Sequence, residues 1–361
     1  MGVATVTSAW LIQALMRQDL LARPELAACF TWAGSALTIA ATFPVLWLVE
    51  KVLLGASEIS PTLLFSLHAA FIAYFVSTGW QVGRLRPRAV LVAELIRSSV
   101  LTAACLFVIY FIKWHPAEML LLGVTTSLIA GAISIRPPIR GLFSSLTRWK
   151  DLRGLFERDA TISLWFAAAT ILFLSDRFLL THLVGTSAAA EYIFLADCIQ
   201  RGFQLLLGPM IVSLQPVVAS SLQRGRPADA YKAVKDTWML QGGLAILVLF
   251  FAILFGGRLL RILFPDPGVG TISSFIPLLL TAAVWQLTQA IQKPLEYSGR
   301  QGSLTALLVV SITTQVLIAV YAIPHFGTPA AAWGMLIGVS FYVIAVLQFS
   351  LQLKQRLMLL S

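Results

Sequence analysis

Charge is scarce in this sequence. Only 12% of its 361 residues are Asp, Glu, Lys or Arg, about half the roughly 25% carried by soluble proteins. With 58% hydrophobic residues and a mean hydropathy of +0.85, a water-soluble domain of this size would leave too much apolar surface uncovered. Cysteine is equally sparse. Cys29, Cys105 and Cys198 stand singly within apolar stretches, which excludes a disulfide framework and a paired-thiol zinc site. The four histidines, His68, His115, His182 and His325, have no metal-ligand spacing. A Gly-rich phosphate loop ending in Lys-Ser/Thr is missing, as are a Gly-x-Ser-x-Gly elbow and an Asp-x-Asp pair. The reading is therefore of a non-enzyme with no cofactor and no metal. Residues 1–17 lack a basic start and a small-residue cleavage site, so no cleavable signal peptide is expected.

What the chain does have is long apolar runs. A spanning helix needs about 20 mostly apolar residues. Ten blocks meet that requirement: 27–49, 61–83, 89–112, 117–135, 160–183, 187–220, 237–257, 271–292, 301–323 and 329–352. The sixth contains Pro209 and Pro216 and is expected to tilt or kink. Residues 2–16 form a weaker apolar stretch, about 22 Å long as a helix and short of a ~30 Å hydrocarbon core.

The net charge of +10 reads as topology, not as nucleic-acid binding, because cytoplasmic loops collect Lys and Arg. Alternate loops and ends sort into a set with nineteen cations and an opposite set with four: Lys51, Lys113, Arg258 and Arg261. The first set includes residues 354–361, so the C-terminus is expected in the cytoplasm. The longest segment outside the blocks, 136–159, belongs to the same set. It divides the chain into an N-terminal bundle over 1–135, a basic cytoplasmic linker over 136–159 and a six-helix bundle over 160–361. The fold class expected is an all-α polytopic membrane protein of two helical bundles with a cavity between them.

A charge at membrane depth is expensive, and a functional role is its default reading. Arg201 lies near the middle of its block, with Asp197 four residues earlier on the same helix face. Asp176 and Arg177 fall in the outer half of block 160–183. Glu94 and Arg97 are three apart toward the cytoplasmic end of theirs. Plainer readings stand beside these: a pair snorkelling to the interface for Glu94 and Arg97, and a structural inter-helix salt bridge for Asp176 and Arg177. Gln286 and Gln289 read as helix–helix hydrogen-bonding groups.

A series of motifs adds to this. Leu174-Ser175-Asp176-Arg177-Phe178-Leu179-Leu180 is followed by Leu183-Val184-Gly185, Ala188-Ala189-Ala190-Glu191-Tyr192 and Leu214-Gln215-Pro216. Later come Leu295-Glu296-Tyr297-Ser298-Gly299-Arg300 and the turn Ile323-Pro324-His325-Phe326-Gly327-Thr328-Pro329-Ala330-Ala331-Ala332. With the basic turn between Gly79 and Arg97, these resemble, in order and spacing, the polysaccharide-export or O-antigen flippases of the multidrug/oligosaccharidyl-lipid/polysaccharide exporter superfamily. Each motif is loose, and Pro329 stands where that family usually has Gly. The family's first helix and the start of its second have no counterpart, so the first bundle is expected to be N-terminally incomplete, a remnant of helix two plus helices three to six.

The resemblance implies a flippase in the bacterial inner membrane. Its cargo would be a polyprenyl-diphosphate-linked oligosaccharide for surface polysaccharide such as lipopolysaccharide, and a cation gradient would drive it. Arg201, Arg97 and Arg177 would bind the anionic headgroup in the cavity, with Asp197, Asp176 and Glu94 as counter-ions or coupling sites. Partners would be the lipid-linked substrate, membrane lipids, and glycosyltransferases and a polymerase of the same pathway. A cation-coupled multidrug exporter of the same fold is the main alternative. A membrane polymerase or transferase would need a large outer loop with carboxylates, and a non-transporting remnant is the remaining alternative.

Overall fold

The structure is a computed structural model, and it describes residues 34–36, 38–40, 61–84, 86–111, 116–135, 149–264 and 268–360. The apolar stretch 2–16 and block 27–49 lie outside these, apart from the helical residues 34–36 and 38–40. Most of the segment 136–159 is also outside.

Among the described residues, nine helices account for the other apolar blocks: α1 (Pro61–Gly83), α2 (Pro87–Phe111), α3 (Pro116–Ser134), α4 (Trp149–Leu183), α5 (Thr186–Gln223), α6 (Pro227–Leu263), α7 (Val269–Tyr297), α8 (Gln301–Phe326) and α9 (Thr328–Leu360). All but α3 are long and apolar enough to cross a membrane. Most extend past the apolar block that announced them. α4 begins eleven residues before its block, inside the segment read as linker, and α6 begins ten residues before its own. Hydropathy marks only the part of a helix that sits in hydrocarbon, whereas backbone hydrogen bonding continues through polar turns. α5 likewise runs unbroken through Pro209 and Pro216.

The chain forms two compact units, Met1–Ala167 and Ala168–Ser361, dividing within α4. In the first, α3 packs against both α1 and α2. Its core gathers Ala70, Tyr74, Ala93, Leu128, Ala132 and Ile135. The Tyr74 ring lies so close to Gly131 that a Cβ there would meet it at 2.7 Å. That contact requires a glycine.

In the second unit α7 is central, packing on α5, α6 and α9, while α8 packs on α9. Ile211, Leu214 and Val218 of α5 meet Ala230 and Val234 of α6 and Ala290 of α7. The outer faces are apolar: Ile246, Phe250, Ile253 and Leu254 of α6 are all exposed, as lipid contact demands. α8 and α9 approach closely at Gly334 and Gly338, one helical turn apart. A Cβ on Gly338 would stand 3.0 Å from the Gln315 Cβ and 3.1 Å from the Ser311 carbonyl. Small residues at this spacing are the usual means of bringing membrane helices together. Between the same helices, Gly327 adopts φ +63° and its N–H donates to the Ile323 carbonyl. Pro329 then falls in the first turn of α9, where the missing N–H has no helical partner to lose.

Candidate functional site

The polar groups of the second unit begin on α4. Asp176 is fully buried. Its Oδ2 accepts a 2.5 Å hydrogen bond from the hydroxyl of Tyr192, likewise buried on α5, and its Oδ1 accepts from the backbone N–H of Arg177 at 2.8 Å. The Arg177 guanidinium reaches α5, where Nη2 lies 2.6 Å from Asp197 Oδ1. The Nε of Arg177 is buried with no hydrogen-bond partner. One turn further along α5, Arg201 Nη2 stands 3.9 Å from Asp197 Oδ2, at the outer limit of an ion pair.

Side-chain exposure rises along this ladder, from 15% for Arg177 to 37% for Asp197 and 70% for Arg201. The sequence marks Arg201 as the deepest cation, and along the helix axis it is deep, fifteen residues beyond Thr186, or about 22 Å. Laterally it points away from its own bundle. A lipid-facing arginine at mid-membrane costs about 2.5–3.5 kcal/mol on insertion scales and more on an isolated helix. An exposed Arg201 at that depth is therefore physically sensible where water or an anion stands before it. Four of the six residues singled out from the sequence, Asp176, Arg177, Asp197 and Arg201, thus form one connected array. The array has a buried end at Asp176 and an accessible one at Arg201.

The other two, Glu94 and Arg97, belong to the first unit. Arg97 Nε and Nη2 donate to Glu94 Oε2 at 2.9 and 2.8 Å. Tyr74, from α1, donates to Glu94 Oε1 at 2.5 Å, and the guanidinium sits 5.7 Å from the Tyr74 ring centroid. The cross-helix hydrogen bond makes this more than a one-helix surface pair.

A second array in the Ala168–Ser361 unit went unmarked in the sequence. Lys293, one of the nineteen cations that the sequence assigns to loops and helix ends, is buried in α7 with Glu296. Their side chains are 5% and 3% exposed and 2.9 Å apart. Gln292 Nε2 donates to Glu296 Oε1 and Gln289 Oε1, both at 2.9 Å. Tyr342 of α9 donates to Gln292 Oε1 at 3.0 Å. Gln301 Nε2 closes the helix end on the Glu296 carbonyl at 3.0 Å. The signal available beforehand was the run Gln289, Gln292, Lys293 and Glu296, which places four polar groups along one side of a helix. Gln289 was read as a helix–helix group, but its hydrogen bond runs along its own helix. Among the described residues no group of three His, Cys, Asp or Glu side chains is arranged to hold a metal ion.

No protein-family model and no curated protein sequence matches the chain. Solved structures do. The chain is similar to an outward-facing multidrug resistance MATE family transporter of the MOP superfamily, with 14% identity and a TM-score of 0.80 over 100% of this chain and 86% of that one. A MOP superfamily transporter from Pyrococcus furiosus, described as having a binding pocket whose reverse polarity suggests a different function, matches at 13% identity and a TM-score of 0.79, covering 99% and 85%. A MATE structure in complex with MaL6 matches at 12% identity and a TM-score of 0.78, covering 99% and 86%. These likenesses establish an all-α, two-bundle polytopic membrane fold of the MATE type.

Proposed function

We propose that a chain with this fold and this charge ladder is a membrane transporter, not an enzyme, moving an amphiphilic, anionic solute by alternating access. The observation that carries the reading is Arg201 at membrane depth, 70% exposed and only loosely paired with Asp197. A cation held there, with a second anchored beside it at Arg177, attracts an anionic group into low dielectric. Asp197 sits between the two arginines and is suited to exchange partners as cargo arrives, while Asp176, held by Tyr192, is the buried end of the array. Arg97 with Glu94 and Tyr74 is proposed as a second polar station, in the first unit.

The finer reading is a flippase for a polyprenyl-diphosphate-linked oligosaccharide in surface-polysaccharide assembly. The chain would lie in a bacterial inner membrane with its C-terminus in the cytoplasm, beside the glycosyltransferases and polymerase of that pathway. Its support is the order of the motifs and the arginines themselves. The Pyrococcus furiosus transporter, whose binding pocket of reverse polarity suggests a different function, is consistent with a pocket charge on this fold that varies with cargo. A second reading, a cation-coupled multidrug exporter, is favoured by the multidrug transporters among the structural neighbours. A strain carrying R201Q separates them. Loss of surface polysaccharide with the protein still in the membrane supports the flippase. Unchanged polysaccharide with increased sensitivity to cationic drugs supports the exporter. Unchanged polysaccharide and unchanged sensitivity remove Arg201 from the mechanism.

A further inference from the structure

A groove of about 390 Å³ lies where α6, α7 and α9 meet, away from the charge ladder. Lys232 and Lys235 of α6 and Lys354 of α9 line it, together with Trp238, Ile291, Leu347 and Leu351. Tyr231 closes its base, donating to the Ser350 carbonyl at 3.3 Å, and so ties α6 to α9. The three lysines are exposed. None has an ion-pair partner among the described residues, although Asp236 follows Lys235 directly and lies one turn after Lys232. Trp238 is partly exposed at the rim, and Leu351 continues the apolar wall.

Height along the helices decides what such a groove can hold. The apolar block of α6 starts at about residue 237 and that of α9 ends at about 352. The lysines therefore sit just beyond the hydrocarbon, with Trp238 and Leu351 just inside it. Tryptophan at this level marks the headgroup region of a bilayer, and basic pockets between membrane helices suit anionic headgroups. A free phosphate would use the lysines and leave the apolar wall empty. The segment 136–148 carries Arg136, Arg140 and Arg148 without an acidic residue, so its charge disfavours it as the occupant.

We infer that this groove is a binding site for one anionic phospholipid, its phosphate held by Lys232, Lys235 and Lys354 and its acyl chains laid along Trp238 and Leu351. Such a lipid would clamp α6 to α9 from the basic ends of both helices.

The test is a lipid titration of the purified full chain in neutral detergent, read by native mass spectrometry and thermal shift. Phosphatidylglycerol, phosphatidylcholine and inorganic phosphate are the probes. Phosphatidylglycerol is expected to remain bound and raise the melting temperature, and the other two are not. Each lysine near an anionic surface contributes about fivefold, so the variant K232Q/K235Q/K354Q is expected to need on the order of a hundredfold more lipid. Its melting temperature without lipid should match the unaltered chain. If it misfolds, K354Q and K232Q taken singly read the same titration, at about fivefold each. Equal binding by the lysine variants, equal binding of phosphatidylcholine, or equal stabilisation by inorganic phosphate each overturns the proposal.

Discussion

Arg177 and Asp197, twenty residues apart in sequence, meet at 2.6 Å across α4 and α5. The pair converts two separately costly charges into one dipole and leaves Asp197 its second oxygen for Arg201. Losing either partner strands the other. R177Q and D197N are each expected to lower stability by about 1–3 kcal/mol and to remove transport. The swap R177D/D197R should recover part of the stability, measured by thermal denaturation in detergent. Full additivity of the two single losses would show that the contact has no energetic weight.

Asp176 depends on Tyr192. In Y192F the buried carboxyl loses its side-chain hydroxyl donor and keeps the Arg177 N–H. A loss of about 1–3 kcal/mol is expected. The variant Y192F/D176L, which removes both polar groups, should be less destabilised than Y192F alone, and a melting series on the three proteins checks this.

Cys198 tests what stands in front of the ladder. It is exposed, adjoins Asp197, and shares a helix face with Arg201 three residues on. With Cys29 and Cys105 replaced by serine, Cys198 is expected to react with a membrane-impermeant maleimide in intact membranes, and cargo should protect it. A thiol that reacts only with lipid-soluble reagents would mean that this face meets lipid.

The Lys293–Glu296 pair is more enclosed than any other described ion pair. Breaking it by K293M or E296Q leaves an uncompensated buried group and is expected to cost about 3–5 kcal/mol. K293M/E296L removes both charges and should recover most of that, since well-packed apolar substitutes for a buried pair are often neutral. Denaturation midpoints of the three variants decide it.

At the α8–α9 contact, G338I would drive a branched side chain against Gln315 and the Ser311 carbonyl. Overpacking of this kind is expected to cost about 1–3 kcal/mol, whereas G302I, at a glycine with open space around it, should cost less. Melting temperatures of the two variants make the comparison.

Much of this architecture follows from sequence alone, because a bilayer imposes a one-dimensional rule. Each crossing must be a run of apolar residues with its backbone bonded internally, and such runs are legible without knowing their neighbours. The intramembrane charges were visible for the same reason, as Asp176, Arg177, Asp197 and Arg201 interrupt apolar blocks. Partnership is a matter of distance between helices, and no periodicity reports it. That is why Tyr192 with Asp176, Tyr74 with Glu94, and Tyr342 with Gln292 appear only in three dimensions. Lys293 misled for a related reason: near a helix end it reads as a loop cation until packing around α7 encloses it. Arg201 shows the division most plainly. Its depth along the helix was a property of the sequence, while its exposed direction was decided by how α5 packs.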